Sequence, residues 1–145
     1  MSEWYTDALS VSIDDAVQDA IYTARDAALP REVGGLLFGT YPDSCSVHVT
    51  DVIMCAPGGL CDFERTTPDP DAVKTLWDRG VHYVGDWHSH PHASPHPSST
   101  DISTLIETAN DPAAKCPAPI VLIVGDWDSL TGAMSGEIVF FEEQP

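Results

Sequence analysis

Two periods of apolar residues run along this chain, and the switches between them mark out the expected elements. Ile13, Ala16, Val17, Ala20, Ile21, Ala24 and Ala27 recur at helical spacing. Ser12 is placed to cap that helix, Asp14 and Asp15 suit the dipole in its first turn, and Leu29-Pro30 ends it. Glu32 to Gly39 reads as a buried strand whose Gly34 and Gly35 let a ligand or a neighbouring backbone approach closely. Val47, Val49 and Ile53 to Cys55 predict a second strand after a turn at Tyr41-Pro42-Asp43-Ser44. Pro57 to Pro68 reads as a loop. A helix then starts at Asp69 or Asp71, carries Ala72, Val73, Leu76 and Trp77, and closes at Gly80.

Val81 to Trp87 reads as a strand that delivers His88 and His90 at its carboxyl end, followed by a proline-rich loop from His92 to Pro97. A third helix starts near Ser98 and runs through Ile102, Leu105 and Ile106 to Asn110. Ile120 to Val124 is expected as a central strand, apolar on both faces. Met134 to Phe141 is the last strand, after a turn around Asp126 to Thr131. Helices do not strictly alternate with strands. The pattern predicts an α/β sandwich around one mixed sheet, in a single domain over residues 1–145.

Charge narrows the partners. The 23 acidic residues outnumber 6 basic ones, a formal net charge of −17, and no block of them forms a tail. Such a field repels nucleic acid and anionic membranes, so neither is expected as a partner. The even spread suits a very salty cytoplasm, where screening cancels self-repulsion; an ordinary acidic protein is the alternative. Residues Met1 to Asp7 carry no signal-peptide pattern, and the longest apolar run, Ile120 to Val124, is too short to cross a bilayer. A soluble, cytoplasmic protein is expected. Cys45, Cys55, Cys61 and Cys116 show no CxxC pair and no metal-finger spacing. They are expected as buried thiols, with a redox-sensitive or intermolecular disulfide as the alternative.

Candidate chemistry gathers around Trp87-His88-Ser89-His90-Pro91 and Ser98-Ser99-Thr100-Asp101. Two imidazoles two residues apart point to one side of a strand, and a carboxylate follows eleven positions later. His88, His90 and Asp101 make a three-ligand set for zinc that leaves the fourth tetrahedral position to water, as in catalytic sites. Each part also has a plainer reading. A lone His-x-His is a surface pair beside proline, and a lone Ser-x-x-Asp is a capping box. His92 and His96 are extra ligands or solvent-exposed residues of a loose loop, whereas His82 and His48 sit in strand patterns as structural residues. A zinc-bound water needs a base. Asp86 is set aside because strand alternation is expected to turn it away from His88. Glu32 is preferred as the lone acid opening an apolar strand, with an edge-exposed Glu32 as the alternative.

Glu32 within E-x-x-G-x-L-x-G, then HSHP, then S-x-x-D, resembles the JAMM/MPN+ (JAB) metalloproteases, and Val84 to Pro91 through Pro97 to Asp101 is similar to their prokaryotic members. The likeness implies the MPN fold, a mixed sheet flanked by helices, over nearly all the chain. It implies one zinc ion held by His88, His90 and Asp101. It implies Glu32 as general acid/base and Ser98 as a hydrogen-bond partner of the oxyanion or water rather than a nucleophile. The family hydrolyses isopeptide or peptide bonds after the C-terminal glycine of ubiquitin-like modifiers, so those proteins and their lysine conjugates are the implied partners. With its acidic, lysine-poor composition the chain resembles the desampylases of salt-loving archaea. Relatives that trim sulfur-carrier precursors or act in antiphage conjugation systems are the alternative, and a non-catalytic MPN scaffold is a further one. At 145 residues the chain is short for the insertions, including an additional zinc site, with which eukaryotic relatives grip one ubiquitin linkage. The substrate tail is expected to lie extended beside a sheet edge.

Overall fold

The computed structural model describes residues 1–6, 8–55 and 69–140. Among these, the strands are β1 (Ser2–Tyr5), β2 (Ser10–Ile13), β3 (Gly34–Asp43), β4 (Ser46–Met54), β5 (His82–Ser89), β6 (Ile120–Trp127) and β7 (Met134–Phe140). The helices are α1 (Asp15–Ala28), α2 (Pro70–Asp78) and α3 (Ser99–Asn110). One sheet holds all seven strands in the order β1-β2-β4-β3-β5-β6-β7. The pairs β2–β4 and β5–β6 are parallel and the other four are antiparallel, so the sheet is mixed.

Both faces of the sheet are covered, which is why Leu36-Leu37-Phe38 and Ile120 to Val124 are apolar without alternation. On one face α1 lays Val17, Ile21 and Ala28 onto Leu37, Val84, Trp87 and Leu122. On the other, α2 sets Leu76 and Val73 against Leu36 and Phe38, while α3 sets Leu105 against Val121 and Ile123. Ile120, Leu122 and Ile123 are at most 2% exposed, and burial of each contributes about 1.5–3 kcal/mol. The sheet also curls. Trp4 of one edge strand lies on Gly136 of the other, where a Cβ would come within 2.6 Å of the indole.

Several boundaries differ from the sequence expectation. Ser12 does not cap α1; it lies in β2 beside β4, and Asp14 is the N-cap, with no side-chain capping bond. Val11 and Ile13 point inward between Ser10 and Ser12, a period of two too short to compete with the helical pattern that Ile13 also fits. The short β1 was not expected either. Glu32 and Val33 precede β3, which instead runs on to Asp43 and leaves only Ser44 and Cys45 as the turn. β6 does lie inside the sheet, between β5 and β7, with Ile120 to Val124 buried as expected. Cys55 and Cys116 are buried as expected, but Cys45 is exposed because it sits in that turn. Pro57 to Pro68, Cys61 and Phe141 lie outside the described residues. No described helix is long and apolar enough to cross a membrane.

One irregularity sets the site's geometry. The β3–β5 register shifts between Leu37, which opposes Gly85, and Phe38, which opposes Tyr83. The extra residue, Val84, turns inward together with Trp87, although the two are three apart. Asp86 and His88 therefore face α3. Gly85 makes this possible with φ of +150°, and a Cβ there would lie 1.9 Å from the Ile120 carbonyl oxygen. Gly85→Ala is expected to destabilise the fold by about 3 kcal/mol, read as a lowered urea midpoint at unchanged slope. An unchanged midpoint would contradict this account of the bulge.

Candidate metal centre

β5 ends at a crossing of three segments. His88 lies opposite Gly34 and Ile123 in the ladder, and the His90 N–H donates to the Val124 carbonyl at 2.8 Å. Between them Ser89 points to the other face and is fully buried. Its N–H donates to the Val33 carbonyl at 2.9 Å, and the Val33 N–H donates to its Oγ at 3.1 Å. Pairing thus continues one residue beyond β3 and leaves Glu32, partly buried, at the His90 end of the ladder. Ser89 drew no attention in the sequence. Strand alternation between two histidines is the signal that would have marked it as the buried lock.

Asp101 arrives from α3. Ser98 is the N-cap, and its Oγ accepts from the Asp101 N–H at 3.1 Å while Asp101 Oδ2 accepts from the Ser98 N–H at 2.8 Å. This reciprocal capping box fixes the carboxylate against the backbone. Its oxygens then meet both rings: Oδ1 is 3.2 Å from His88 Nε2, and Oδ2 is 3.3 Å from His90 Nε2. The two Nε2 atoms are 3.2 Å apart.

That triangle can be tested against a metal. Nitrogen and oxygen ligands about 2.05 Å from a tetrahedral zinc stand about 3.3 Å from one another. The two Nε2 atoms stand 3.2 Å apart, and each lies 3.2 or 3.3 Å from a different oxygen of the Asp101 carboxylate, so each pair is near that spacing. The donors also fit chemically. A carbonyl can only accept, so the contact of His90 Nδ1 with the Ser94 carbonyl at 3.2 Å puts the ring proton on Nδ1 and leaves the Nε2 lone pair facing Asp101. Burial works to raise the Asp101 carboxyl, but hydrogen bonds from His88 and the Ser98 backbone outweigh it and hold the group well below the usual carboxylate range. Two ring nitrogens and a carboxylate converge there, a donor set that suits a divalent cation once the proton His88 shares with Asp101 is released. Among the described residues, His88, His90 and Asp101 are the group whose ligand atoms lie within 4.8 Å of one another; Glu32 is not one of them.

The other sequence candidates fall elsewhere. Asp86, two residues before His88 on β5, shares its face, so the expectation that alternation turns it away was wrong. It is buried and accepts from the Tyr83 hydroxyl at 2.8 Å. His96 pairs with Glu137 at 2.6 Å, His48 contacts Asp14 at 2.7 Å, and His82 packs edge-on against Trp77. None of these joins the triangle.

Comparison with known proteins gives the family and the fold. The model for prokaryotic homologs of the JAB domain matches residues 14–138. A CD-NTase/cGAS isopeptidase from Enterobacter hormaechei is 30% identical over 100 residues, which are 66% of this chain and 56% of that relative. A probable metalloprotease from Sinorhizobium fredii is 29% identical over 120 residues, covering 77% of this chain and 73% of the relative. In fold, a JAB1/MPN domain protein from Archaeoglobus fulgidus superimposes with a TM-score of 0.54 at 19% identity, over 88% of this chain and 87% of the other.

Zinc in hundredfold excess over its dissociation constant is expected to stabilise the metal-free protein by about 2.7 kcal/mol, visible as a rise in melting temperature. His88→Ala should abolish the rise. Ser98→Ala should cost about 1 kcal/mol even without metal, through the lost cap. A wild-type melt indifferent to zinc would remove the metal reading of the triangle.

Proposed function

The chain belongs to the prokaryotic JAB-domain family of isopeptidases and metalloproteases, and from that premise we propose that it is a zinc-dependent isopeptidase. Its substrates would be lysine conjugates of small ubiquitin-like modifiers, cut after the modifier's C-terminal glycine, with residues 1–145 acting as one catalytic domain. The observation that carries this reading is the convergence of the His88 and His90 Nε2 atoms with the two oxygens of Asp101, at separations of 3.2–3.3 Å, at the carboxyl end of β5.

A zinc ion there would act as a Lewis acid toward the scissile carbonyl and make water nucleophilic near neutral pH. The chain's own groups would do the rest. Glu32 is the proposed proton carrier: it takes a proton from the attacking water and returns it to the departing lysine amine. The pairing of Val33 with Ser89 holds its segment at the His90 end of the site. Ser98 accepts the Asp101 N–H, so its own hydroxyl hydrogen points elsewhere and is proposed to donate to the oxygen on which charge develops. The ring proton of His90 stays on Nδ1, on the Ser94 carbonyl, through the cycle. An extended modifier tail beside a sheet edge would supply backbone affinity with little sequence choice.

The desampylase type is the favoured form, supported by a net charge of −17 spread along the chain. A second form has its own support. The relative from Enterobacter hormaechei is named for an isopeptide bond on a CD-NTase/cGAS protein, and a conjugate of that kind is the competing substrate.

The test pairs metal analysis with cleavage of three substrates: a modifier–lysine isopeptide conjugate, a linear C-terminal extension, and a conjugated CD-NTase, at low and multimolar salt. Glu32→Ala is expected to keep zinc and lose at least about a hundredfold in kcat/KM, while His88→Ala loses both. Full activity in Glu32→Ala would sink the assigned proton carrier. Cleavage of the linear extension alone would replace the isopeptidase with a precursor-trimming peptidase.

A further inference from the structure

The turn after His90 is held by a network that the three donor residues do not by themselves require. His90, Pro91, His92 and Ala93 form a turn in which the Ala93 N–H donates to the His90 carbonyl at 3.3 Å. Pro91 takes its second position and His92 its third, with φ of +61°. This is the pattern of a type II turn, whose third position favours glycine. A histidine there needs outside support.

Asp126, at the end of β6, supplies it. Its Oδ1 accepts from the His92 N–H at 2.9 Å and lies 4.0 Å from the His92 ring Nδ1. Asp126 is itself held from two sides. Its N–H donates to Ser135 Oγ at 2.9 Å, and its carboxylate receives the Arg25 guanidinium. Arg25 comes from the last turn of α1 and is 4% exposed. It also donates from Nε to the Gly125 carbonyl at 3.1 Å and from Nη1 to Asp26 at 3.0 Å. A buried guanidinium is expensive to leave unpaired, so Arg25 dictates where Asp126 lies. The loop sits close on Gly125, where a Cβ would lie 3.2 Å from the Ala93 carbonyl oxygen.

We propose that Arg25 and Asp126 are positioning residues for the metal site: they hold His92 in its left-handed conformation and so set the turn that aims the His90 ring. Two contacts carry the effect. The His90 N–H anchors the start of the turn on the Val124 carbonyl, and the Ser94 carbonyl, just past its end, receives the ring Nδ1 proton. Opening the turn moves the Ser94 carbonyl and releases the ring while β5 stays in place. The inference rests on the reading of the triangle as a metal site.

The test measures zinc affinity by competition with a chromophoric chelator, beside the melting temperature of each metal-free protein. Asp126→Ala should weaken zinc binding about tenfold or more. Asp126→Asn keeps an oxygen for the His92 N–H but loses the charge facing Arg25; it should melt lower and bind zinc within about threefold of wild type. His92→Gly placed in Asp126→Ala supplies the left-handed conformation without support. It should restore affinity to within about threefold while the melting temperature stays low. A merely structural Asp126 would make affinity follow melting temperature through the series, and that result overturns the proposal. So does wild-type affinity in Asp126→Ala. A wild type that binds no zinc overturns the metal reading itself and this inference with it, so the two failures are distinguishable.

Discussion

The Asp101 carboxylate closes the first turn of α3 and faces two imidazoles at once, so the helix start and the candidate metal site share one anchor. A surface aspartate ordinarily samples several rotamers, and fixing it for a ligand costs entropy at the moment of binding. Here the capping box has already fixed it on folding. The same Ser98 N–H that completes the cap also helps keep the carboxyl ionised against burial. The position of α3 thereby becomes the position of a candidate ligand. Leu105, packed on Val121 and Ile123, sets where the helix lies on the sheet.

The sheet supplies the complementary precision. β5 carries alternate residues to opposite faces, but the bulge at Val84-Gly85 resets the count, so Trp87 joins the α1 side while Asp86 and His88 join the α3 side. Ser89, caught between the histidines, points back into the core and bonds Val33. That bond ties the segment carrying Glu32 to the strand carrying His88, across 56 residues of sequence. A single strand end thus sets the backbone positions of His88, His90 and Glu32 together.

These features differ in how legible they are in the sequence. His-x-His, the capping box and the helix boundaries of α2 and α3 could be read because each rests on local spacing of a few residues. The α/β class followed from two apolar periods that seldom mislead over ten residues or more. The short strands β1 and β2 left too little trace, because four residues hold too little periodicity and Ile13 fits a helix as well as a strand. Asp86 was misplaced through a miscount of alternation, since residues two apart in a strand share a face. Arg25 stayed invisible for another reason: a charged residue on the apolar stripe of α1 reads as solvent-facing, and only the partners at Gly125, Asp26 and Asp126 show why it is buried. Long-range pairing of that kind leaves no periodic trace.

The chain's charge bears on the site through distance. At ionic strengths near 1 M the Debye length is about 3 Å, and scattered surface carboxylates barely sense one another. The ring nitrogens and carboxylate oxygens of the triangle approach one another at 3.2–3.3 Å, and the side chains of His88, His90 and Asp101 are 9%, 14% and 17% exposed. Mobile ions have little room to enter so tight a group, so its attraction for a cation persists under salt that flattens the field outside. At low salt the relation inverts. A surface of −17 then adds a long-range attraction for cations and a repulsion of acidic partners, while the triangle itself is unchanged. Salt should therefore act on this molecule mainly through encounter with its partners and through fold stability, and least through the geometry of His88, His90 and Asp101.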